Sequence, residues 1–358
     1  MVSNPTLPAA FSPQRILVIK LRHHGDMLLV TPVISTLKRH YPSAQIDVLL
    51  YAETRDMLSA NQDIHQLYCI DRQWKKQGAR HQLSQEWRLL RTLQAQRYDL
   101  VVNLADQWRS AIVTALSSAP VRIGFDFTKR RHPLWRASHT HLASTAKHGK
   151  QHTVEQNLSI LAPLGLDDDD SRVTMGYSEQ DWQSASALIP TAWQAGYIVI
   201  QPTSRWFFKC WQETRMSEVI NALSQAGYPI LLTSGPDVRE RAMIDAIMQG
   251  CPTAQVASLA GQLTLRQLAA IIDHARLFIG VDSVPMHMAA ALQTPLVALF
   301  GPSKLVFWRP WQARGDVIWA GDFGDLPDPD TIDTQTAERY LDLIPSSAVI
   351  AAATRLLE

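Results

Sequence analysis

A cluster of polar residues follows a predicted strand and opens a predicted helix: Asp282, Ser283 and His287. The apolar run before them ends at Gly280, and residues 286–292 are rich in Met and Ala, which favour helix formation. The N-terminus of a helix exposes unpaired N–H groups and about half a positive charge, so it attracts phosphate. Two interpretations stay open from this stretch alone, a phosphate-binding helix N-terminus and a plain helix cap formed by the Asp and Ser.

The segment 125–150 is strongly basic and lacks periodicity, which predicts a loop. One acidic residue, Asp126, stands against six cationic side chains, and four histidines are interleaved. A basic loop either binds an anionic partner or is simply solvated, and the sequence leaves both interpretations open. The cationic residues are Lys129, Arg130, Arg131, Arg136, Lys147 and Lys150.

Composition excludes several classes of protein. The 358-residue chain has a formal net charge of +1, which is not the basic footprint of a nucleic-acid-binding protein, so no nucleic-acid partner is expected. Its three cysteines are scattered without a C-x-x-C pattern, which predicts neither disulfides nor a zinc site and fits a reducing cytoplasm. The first residues lack the pattern of a signal peptide, and no run of about 18 apolar residues predicts a membrane span. Attachment to a membrane surface stays open.

Apolar strands alternate with helical patterns from the start of the chain, which predicts a parallel α/β sheet. A tight polar turn, Arg22-His23-His24-Gly25-Asp26, separates the first predicted strand from the first predicted helix. In the first half we predict strands at 15–21, 45–50, 66–70, 98–104 and 121–125, and helices at 27–40, 83–96, 109–116 and 153–161.

The same alternation starts again in the second half, so we predict two successive α/β domains. An acidic run at 167–170 is interpreted as a solvated linker near their boundary. The predicted strands are 197–201, 229–233, 254–257, 277–279 and 295–300, and the predicted helices are 216–225, 238–248, 265–274, 286–292 and 347–357. The predicted divisions are an N-terminal domain over 1–175, a C-terminal domain over 176–340 and a final helical segment over 341–358.

Several common motifs are missing from the sequence. No G-x-G-x-x-G follows either opening strand, and neither a P-loop nor a G-x-S-x-G nucleophile motif occurs. Two D-x-D patterns, one at 328–330 and one within 167–170, lie in a proline-rich segment and in the predicted linker. No metal site is predicted at either.

Four segments together resemble the bacterial lipopolysaccharide heptosyltransferases of glycosyltransferase family 9. They are the turn 21–28 with its Gly-Asp, the strand and loop 201–211 with Thr-Ser and Lys-x-Trp, the Ser-Gly-Pro-Asp at 234–237, and the Asp-Ser-x-x-x-His within 280–287. The resemblance covers nearly the whole chain, and the order and spacing of the segments make it specific. Within the family it is greatest to enzymes that add the third, branching heptose.

The resemblance implies an α/β fold of the GT-B type, with two facing Rossmann-like domains and parallel sheets. It implies an inverting, metal-independent transfer of heptose from ADP-L-glycero-β-D-manno-heptose to a heptose of the lipopolysaccharide inner core, with the second heptose as the expected acceptor. No cofactor beyond this donor substrate is expected. The enzyme would be cytoplasmic and would meet the surface of the inner membrane transiently.

The resemblance also assigns roles to individual residues. A base must take the proton of the acceptor hydroxyl as it attacks the anomeric carbon, and Asp26 is the expected base, with an N-cap as its alternative role. Lys209 and the helix N-terminus at Ser283 and Val284 would stabilise charge on the leaving diphosphate. A plain surface lysine is the alternative for Lys209, and its aromatic neighbours disfavour that. The other expected donor-binding residues are Thr203 and Ser204 on phosphate oxygens, Asp237 on the ribose, Asp282 on the heptose, and His287.

Two donor-site positions depart from the family pattern, because Val284 stands where relatives often have Gly and Asp237 where some have Glu.

The acceptor is expected to bind the first domain. The expected acceptor-binding residues are Arg22, Asp106, Arg109, Lys129, Arg130 and Arg131.

Two other functions stay open on the sequence alone. One is a nucleotide-sugar epimerase of the same fold, which would need no saccharide acceptor, and the other is a non-catalytic nucleotide-sugar-binding protein. The basic segment 125–150 favours an anionic acceptor over the epimerase.

Overall fold

The structure is a computed structural model that describes residues 6–7, 11–166 and 170–358. The chain divides into two compact units, Met1–Thr174 and Met175–Glu358. Most of the acidic run 167–170, the predicted linker, lies outside the described residues. Its last member, Asp170, binds Arg172 at 2.7 Å and Arg39 at 3.2 Å. The assignment of acceptor and donor to the two units stays a prediction.

The first unit is built on six parallel strands. They are β1 Arg15–Ile19, β2 Gln45–Tyr51, β3 Gln66–Ile70, β4 Leu100–Asn103, β5 Val121–Phe125 and β6 His141–Ala143, in the spatial order β3-β2-β1-β4-β5-β6. The central strand β1 is fully buried from Ile16 to Ile19. Such uninterrupted apolar runs are typical of parallel strands, whose two faces are both covered. Five of these six strands were predicted from that pattern.

The helices of the first unit are α1 His24–Leu28, α2 Thr31–His40, α3 Ala79–Ala95, α4 Trp108–Leu116, α5 Pro133–Ala137 and α6 Thr153–Leu158. The prediction of one helix over 27–40 is wrong, since two helices occupy this stretch. Pro32 has no N–H to offer the carbonyl of Leu28, and the hydroxyl of Thr31 binds that carbonyl at 2.8 Å instead. The break places Asp26 inside the short helix α1, not in a turn before a longer helix.

The segment 125–150 is not the loop that its sequence predicted, because it contains α5 and the edge strand β6. Buried polar side chains hold it. The Nε2 atom of His139 lies 3.1 Å from Nδ2 of Asn103. Its Nδ1 atom lies 2.9 Å from the carbonyl oxygen of Trp135. Burial lowers the pKa of His139 to about 4, so this ring is neutral at pH 7 and serves the packing of the segment.

The second unit repeats the same topology. Its strands are β7 Ile198–Gln201, β8 Ile230–Leu232, β9 Val256–Ser258, β10 Leu277–Val281, β11 Leu296–Phe300 and β12 Gly315–Trp319, in the order β12-β11-β10-β7-β8-β9. All of its pairings are parallel. The edge strand β12 was not predicted from sequence, because it begins with Gly315 and Asp316 and its apolar run, 317–319, is only three residues long.

Five helices of the second unit lie within a few residues of the predicted positions. The helices of this unit are α7 Glu179–Ser186, α8 Glu213–Gln225, α9 Val238–Gln249, α10 Leu265–Asp273, α11 Val284–Leu292, α12 Leu305–Trp308 and α13 Ser346–Leu357. The final helix α13 packs on α8 and belongs to this unit. None of the helices in the described part of the chain is long and apolar enough to cross a membrane.

Parallel strands end at one common edge of their sheet, and the loops at this edge form the ligand sites of such folds. In the first unit, β1, β4 and β5 lead into the segments that carry Asp26, Asp106 and Lys129. In the second unit, β7 and β10 lead into those that carry Lys209 and Asp282. The predicted site residues therefore fall at the carboxyl edges of the two sheets.

Candidate functional site

Asp282 lies directly after β10 and is buried. Its Oδ2 accepts a hydrogen bond from Lys209 Nζ at 2.6 Å and another from Ser303 Oγ at 2.5 Å. Ser303 follows β11, so the ends of two neighbouring strands and the loop after β7 meet at one carboxylate oxygen. Ser303 was not predicted, because nothing in the sequence links it to a residue 21 positions earlier.

The first turn of α11 is not capped by a side chain. Ser283 is the residue at the N-cap position, but its hydroxyl binds back to the carbonyl of Val281 at 3.1 Å. The carboxylate of Asp282 is engaged by Lys209, so the interpretation of the Asp and Ser as a plain helix cap is wrong. Val284 and the buried His287 lie in this first turn.

Lys209 is not an ordinary surface lysine, and that alternative is wrong. It ends a short helical turn, Phe207–Lys209, and only 14% of its side chain is exposed. Its ammonium lies 5.0 Å from the ring centre of Trp206 and 6.0 Å from that of Phe208, both within the range of cation–π attraction. Two aromatic rings and one carboxylate therefore fix this charge beside the N-terminus of α11.

Thr203 is buried, and its hydroxyl donates to Glu240 Oε2 at 2.6 Å. The same oxygen of Glu240 accepts the backbone N–H of Gly235 at 3.0 Å. The predicted contact of Thr203 with phosphate stays a prediction. It requires the hydroxyl to give up its bond to Glu240, because a phosphate oxygen only accepts hydrogen bonds and a hydroxyl has one proton to donate. Ser204 is also buried, and its hydroxyl lies 3.4 Å from the carbonyl oxygen of Asp282.

Asp237 has a structural role at the start of α9. Its carboxylate accepts the N–H of Arg239 at 2.9 Å, and this bond is the main cause of the lowered pKa of Asp237. Its side chain is half exposed, whereas Glu240 one turn later faces Thr203 and Gly235. Glu240 is therefore a second candidate for the ribose contact. The pattern Asp-x-x-Glu at 237–240 was a signal for Glu240, but that spacing is also typical of a capping box.

Asp26 lies half-buried in the first turn of α1. The N-cap position of this helix belongs to His23, and no side chain caps the helix. The alternative role of Asp26 as the N-cap is therefore wrong. Nothing in the described structure tests its predicted role as a base, which stays a prediction.

A buried polar bridge that was not predicted lies beneath α1. Lys20 follows β1, and its Nζ donates to Asn157 Oδ1 at 2.9 Å. The amide of Asn157 in turn donates to the carbonyl of Leu29, at the end of α1, at 2.8 Å. Burial lowers the pKa of Lys20, and the carboxylates of Asp26 and Asp106 oppose that shift. The bridge fixes the helix that carries Asp26.

Three of the predicted acceptor-binding residues meet around a fourth, Asp106. Arg22 binds its carboxylate at 3.1 Å, Lys129 forms an ion pair with it, and Arg130 Nε donates to its backbone carbonyl at 2.6 Å. Burial pushes the pKa of Asp106 upward, but the hydrogen bond from Lys129 and the charges of Arg22 and Lys129 bring it below its ordinary value. The cluster contains three cations and one carboxylate, so it is net positive.

Arg109 and Arg131 stand apart from the Asp106 cluster. Arg109 binds Glu86 of α3 at 2.6 Å and lines a cavity of about 220 Å³ together with Arg72 and Lys75. Arg131 is exposed. Whether either residue binds the acceptor stays a prediction.

Comparison with known proteins identifies the family. Residues 86–337 match the profile of glycosyltransferase family 9 (heptosyltransferase). The chain belongs to this family. Lipopolysaccharide heptosyltransferase 3 of Escherichia coli is 46% identical over 338 residues, which cover 94% of this chain and 97% of the relative. The family 9 resemblance seen in the sequence is confirmed.

Solved structures of family 9 members share the fold. The glycosyl transferase family 9 protein of Veillonella parvula superposes with a TM-score of 0.78 at 24% identity, covering 96% of this chain and 97% of its own. Escherichia coli heptosyltransferase WaaC, solved with ADP, superposes with a TM-score of 0.74 at 22% identity, covering 96% and 99%. The predicted α/β fold of the GT-B type is confirmed. Membership of family 9 makes the chain a glycosyltransferase, so the epimerase and the non-catalytic binding protein are both wrong.

Proposed function

We propose that this family 9 enzyme transfers L-glycero-D-manno-heptose from ADP-heptose to a heptose of the lipopolysaccharide inner core, the second heptose being the acceptor. The transfer inverts the anomeric centre and needs no metal. The observation that carries the proposal is the pairing of Lys209 with Asp282 beside the uncapped first turn of α11. The names of two relatives support it, since one is a lipopolysaccharide heptosyltransferase 3 and another was solved with ADP.

The donor binds the second unit in this proposal. The N-terminus of α11 and the ammonium of Lys209 supply positive charge for a diphosphate. When the diphosphate draws Lys209 away, Ser303 keeps its bond to Asp282 Oδ2, and the carboxylate is available to a heptose hydroxyl. Glu240 or Asp237 accepts from the ribose. Charge that grows on the leaving phosphate oxygen is then stabilised by the ammonium of Lys209, which lies beside the rings of Trp206 and Phe208 before the donor binds.

The acceptor binds the first unit in this proposal. Its hydroxyl oxygen attacks the anomeric carbon, the bond from that carbon to the phosphate oxygen breaks, and Asp26 takes the hydroxyl proton. The attack comes from the face opposite the leaving group, which inverts the centre. The net positive cluster of Arg22, Lys129 and Arg130 around Asp106 attracts phosphates of the core. Such an acceptor is lipid-borne, so the reaction takes place in the cytoplasm at the surface of the inner membrane.

The proposal is tested by the product. The purified enzyme is incubated with ADP-heptose and with core lipopolysaccharide from a strain that lacks this protein, in the presence of a metal chelator. Mass spectrometry is expected to show the gain of one heptose, and nuclear magnetic resonance the inverted linkage on the second heptose. Failure to extend this acceptor, or transfer that stops when the chelator is added, would contradict the acceptor or the metal independence respectively.

Replacement of Lys129, Arg130 and Arg131 together by Ser is expected to raise the KM for the acceptor, because it removes cations from the Asp106 cluster. The salt dependence of that KM should weaken as well, since fewer charges are left to be screened. Affinity for ADP, measured by calorimetry, should not change.

A matched control for this triple variant comes from the same basic segment. Lys147 and Lys150 are exposed, and their replacement by Ser removes cations outside the Asp106 cluster. This control should keep the parent KM. Normal acceptor kinetics in the triple variant would show that the segment is a solvated surface without a role in acceptor binding.

A further inference from the structure

The exposed large apolar side chains of the first unit are concentrated in one place. In the part of this unit that the structure describes, all of them lie on three consecutive helices, α3, α4 and α5. Large apolar groups of this kind are usually buried, and a contiguous exposed patch marks an interaction surface. They are Leu83 (70% exposed), Trp87 (54%), Trp108 (41%), Ile112 (54%), Leu116 (42%) and Leu134 (69%).

The outer face of α4 is wholly apolar. Its exposed residues are Trp108, Ile112, Ala115 and Leu116. The last three follow Trp108 by four, seven and eight positions, so all four lie on one face of the helix. The one charged residue of α4, Arg109, is drawn to Glu86 of α3. An apolar outer face is unusual in a surface helix, whose solvent side normally carries polar residues.

Direct contacts join the three helices into one surface. Gln94 of α3 donates to the carbonyl of Leu116 on α4 at 2.8 Å. At the other end of α4, Trp108 meets the ring of Trp135 on α5, with centroids 5.9 Å apart. We call this surface the α3–α5 face.

The rim of the α3–α5 face is cationic. Residues 72–136 contain thirteen Lys and Arg but four Asp and Glu, although the whole chain has a net charge of +1. On α3 the exposed side chains include Arg80, Arg88 and Arg91, and Arg91 lies 5.2 Å from the ring centre of Trp87. Long cationic side chains beside apolar rings can bury their stems while keeping their charges in a polar layer.

We propose that the α3–α5 face docks on an anionic lipid surface. An apolar stripe flanked by Lys and Arg is typical of structures that lie in a membrane interface, and Trp favours the depth of the headgroups. Each cation near such a surface adds to binding. A second copy of the chain is a poorer occupant, because a two-fold contact would place two cationic rims against each other, and their charges would repel. A nucleic acid would match the charge but would leave the apolar stripe unused.

The α3–α5 face adjoins the Asp106 cluster within the same unit. Trp108 begins α4 two residues after Asp106, and Arg130 binds the carbonyl of Asp106 at 2.6 Å. Docking through this face would hold the cluster close to the headgroup layer. The inference deepens the proposed function, on which its biological meaning rests, but lipid binding itself requires no heptose transfer.

The test is flotation of the full chain with vesicles of phosphatidylcholine, either pure or mixed three to one with anionic phosphatidylglycerol. Binding to the mixed vesicles is expected to be the stronger and to fall as salt rises. The double variant Ile112→Ser with Leu116→Ser should lose at least about tenfold in vesicle affinity, because it removes the apolar stripe. The triple variant Arg80→Gln, Arg88→Gln and Arg91→Gln should lose roughly fivefold for each charge at low salt.

A control variant carries Leu188→Ser and Phe323→Ser, two exposed apolar residues of the second unit. It should bind vesicles like the parent. The Ile112→Ser, Leu116→Ser enzyme should keep the parent melting temperature and the parent activity on a soluble core oligosaccharide, which shows that it is folded.

Three outcomes would overturn the inference. They are equal binding to both kinds of vesicle, unchanged vesicle binding in the Ile112→Ser, Leu116→Ser variant, and a dimer in ultracentrifugation that this variant abolishes. A protein that binds anionic vesicles in the expected way but transfers no heptose would contradict the proposed function and leave the docking surface in place.

Discussion

Replacing Asp26 by Asn is expected to lower kcat by about 10²- to 10⁴-fold, the range typical of a lost general base. A sugar hydroxyl is a poor nucleophile at neutral pH, so its proton must leave as it attacks, and an amide cannot accept that proton. The loss corresponds to roughly 3 to 5 kcal/mol of barrier. Affinity for ADP should stay within a few-fold of the parent, since the proposed donor contacts lie in the second unit. Steady-state kinetics and calorimetry measure the two quantities.

The structure also predicts how the Asp26→Asn substitution affects thermal stability. Asp26 caps no helix, and α1 is fixed instead by the bridge from Lys20 through Asn157 to Leu29. The melting temperature of the Asp26→Asn enzyme should therefore equal that of the parent. Asp63→Asn is a matched control, because Asp63 is also half-buried and lies in the same unit. An Asp26→Asn enzyme with near-normal kcat would place the base at another residue.

Lys209→Ala is expected to weaken ADP binding and to lower kcat by about 10²- to 10³-fold, the typical loss for one electrostatic stabiliser of a transition state. The ammonium would serve both the bound diphosphate and the charge that grows as the glycosidic bond breaks. The substitution also leaves the buried carboxylate of Asp282 with Ser303 as its remaining side-chain donor in the described structure. A buried charge without its ionic partner is destabilising, so the melting temperature should fall too.

A second substitution separates the two effects of Lys209. In the double variant Lys209→Ala, Asp282→Asn, the orphaned charge is removed, so much of the lost thermal stability should return while activity stays low. Lys304→Ala is the matched control, since Lys304 is the sequence neighbour of Ser303 but pairs with Asp330 at the surface. Unchanged ADP affinity in Lys209→Ala would remove this lysine from the donor site.

Strands could be predicted from the sequence where their residues form a continuous apolar run, as buried strands do. β3 and β5 have the predicted bounds, and the other predicted strands differ by a few residues. The errors lie where a polar contact of a side chain determines where a helix or strand begins and ends. The break between α1 and α2 depends on the Thr31 hydroxyl, and α5 and β6 depend on buried histidines such as His139. Such side chains look like solvent-facing residues until their partners are known.

The polar residues of the candidate site could be predicted from their types and their positions at strand ends. Which of them bind one another could not. Lys209 and Asp282 were each predicted, yet their mutual bond joins positions 73 residues apart in the chain. Glu240 was missed because its spacing from Asp237 also fits a helix cap, and Asn157 because an Asn within a helical pattern carries no sign of a distant lysine. Only the fold brings these partners together.

The position of β1 and β7 has a consequence for synthesis on the ribosome. Each is the first strand of its unit, yet each lies inside the sheet, between β2 and β4 or between β8 and β10. β1 must therefore wait for residues 100–103, and β7 for residues 277–280, before its second side is paired. During that interval a nascent chain carries a largely apolar strand with one edge open, the kind of surface that invites aggregation. Chains that terminate early, before β4 or β10, would keep that open edge permanently.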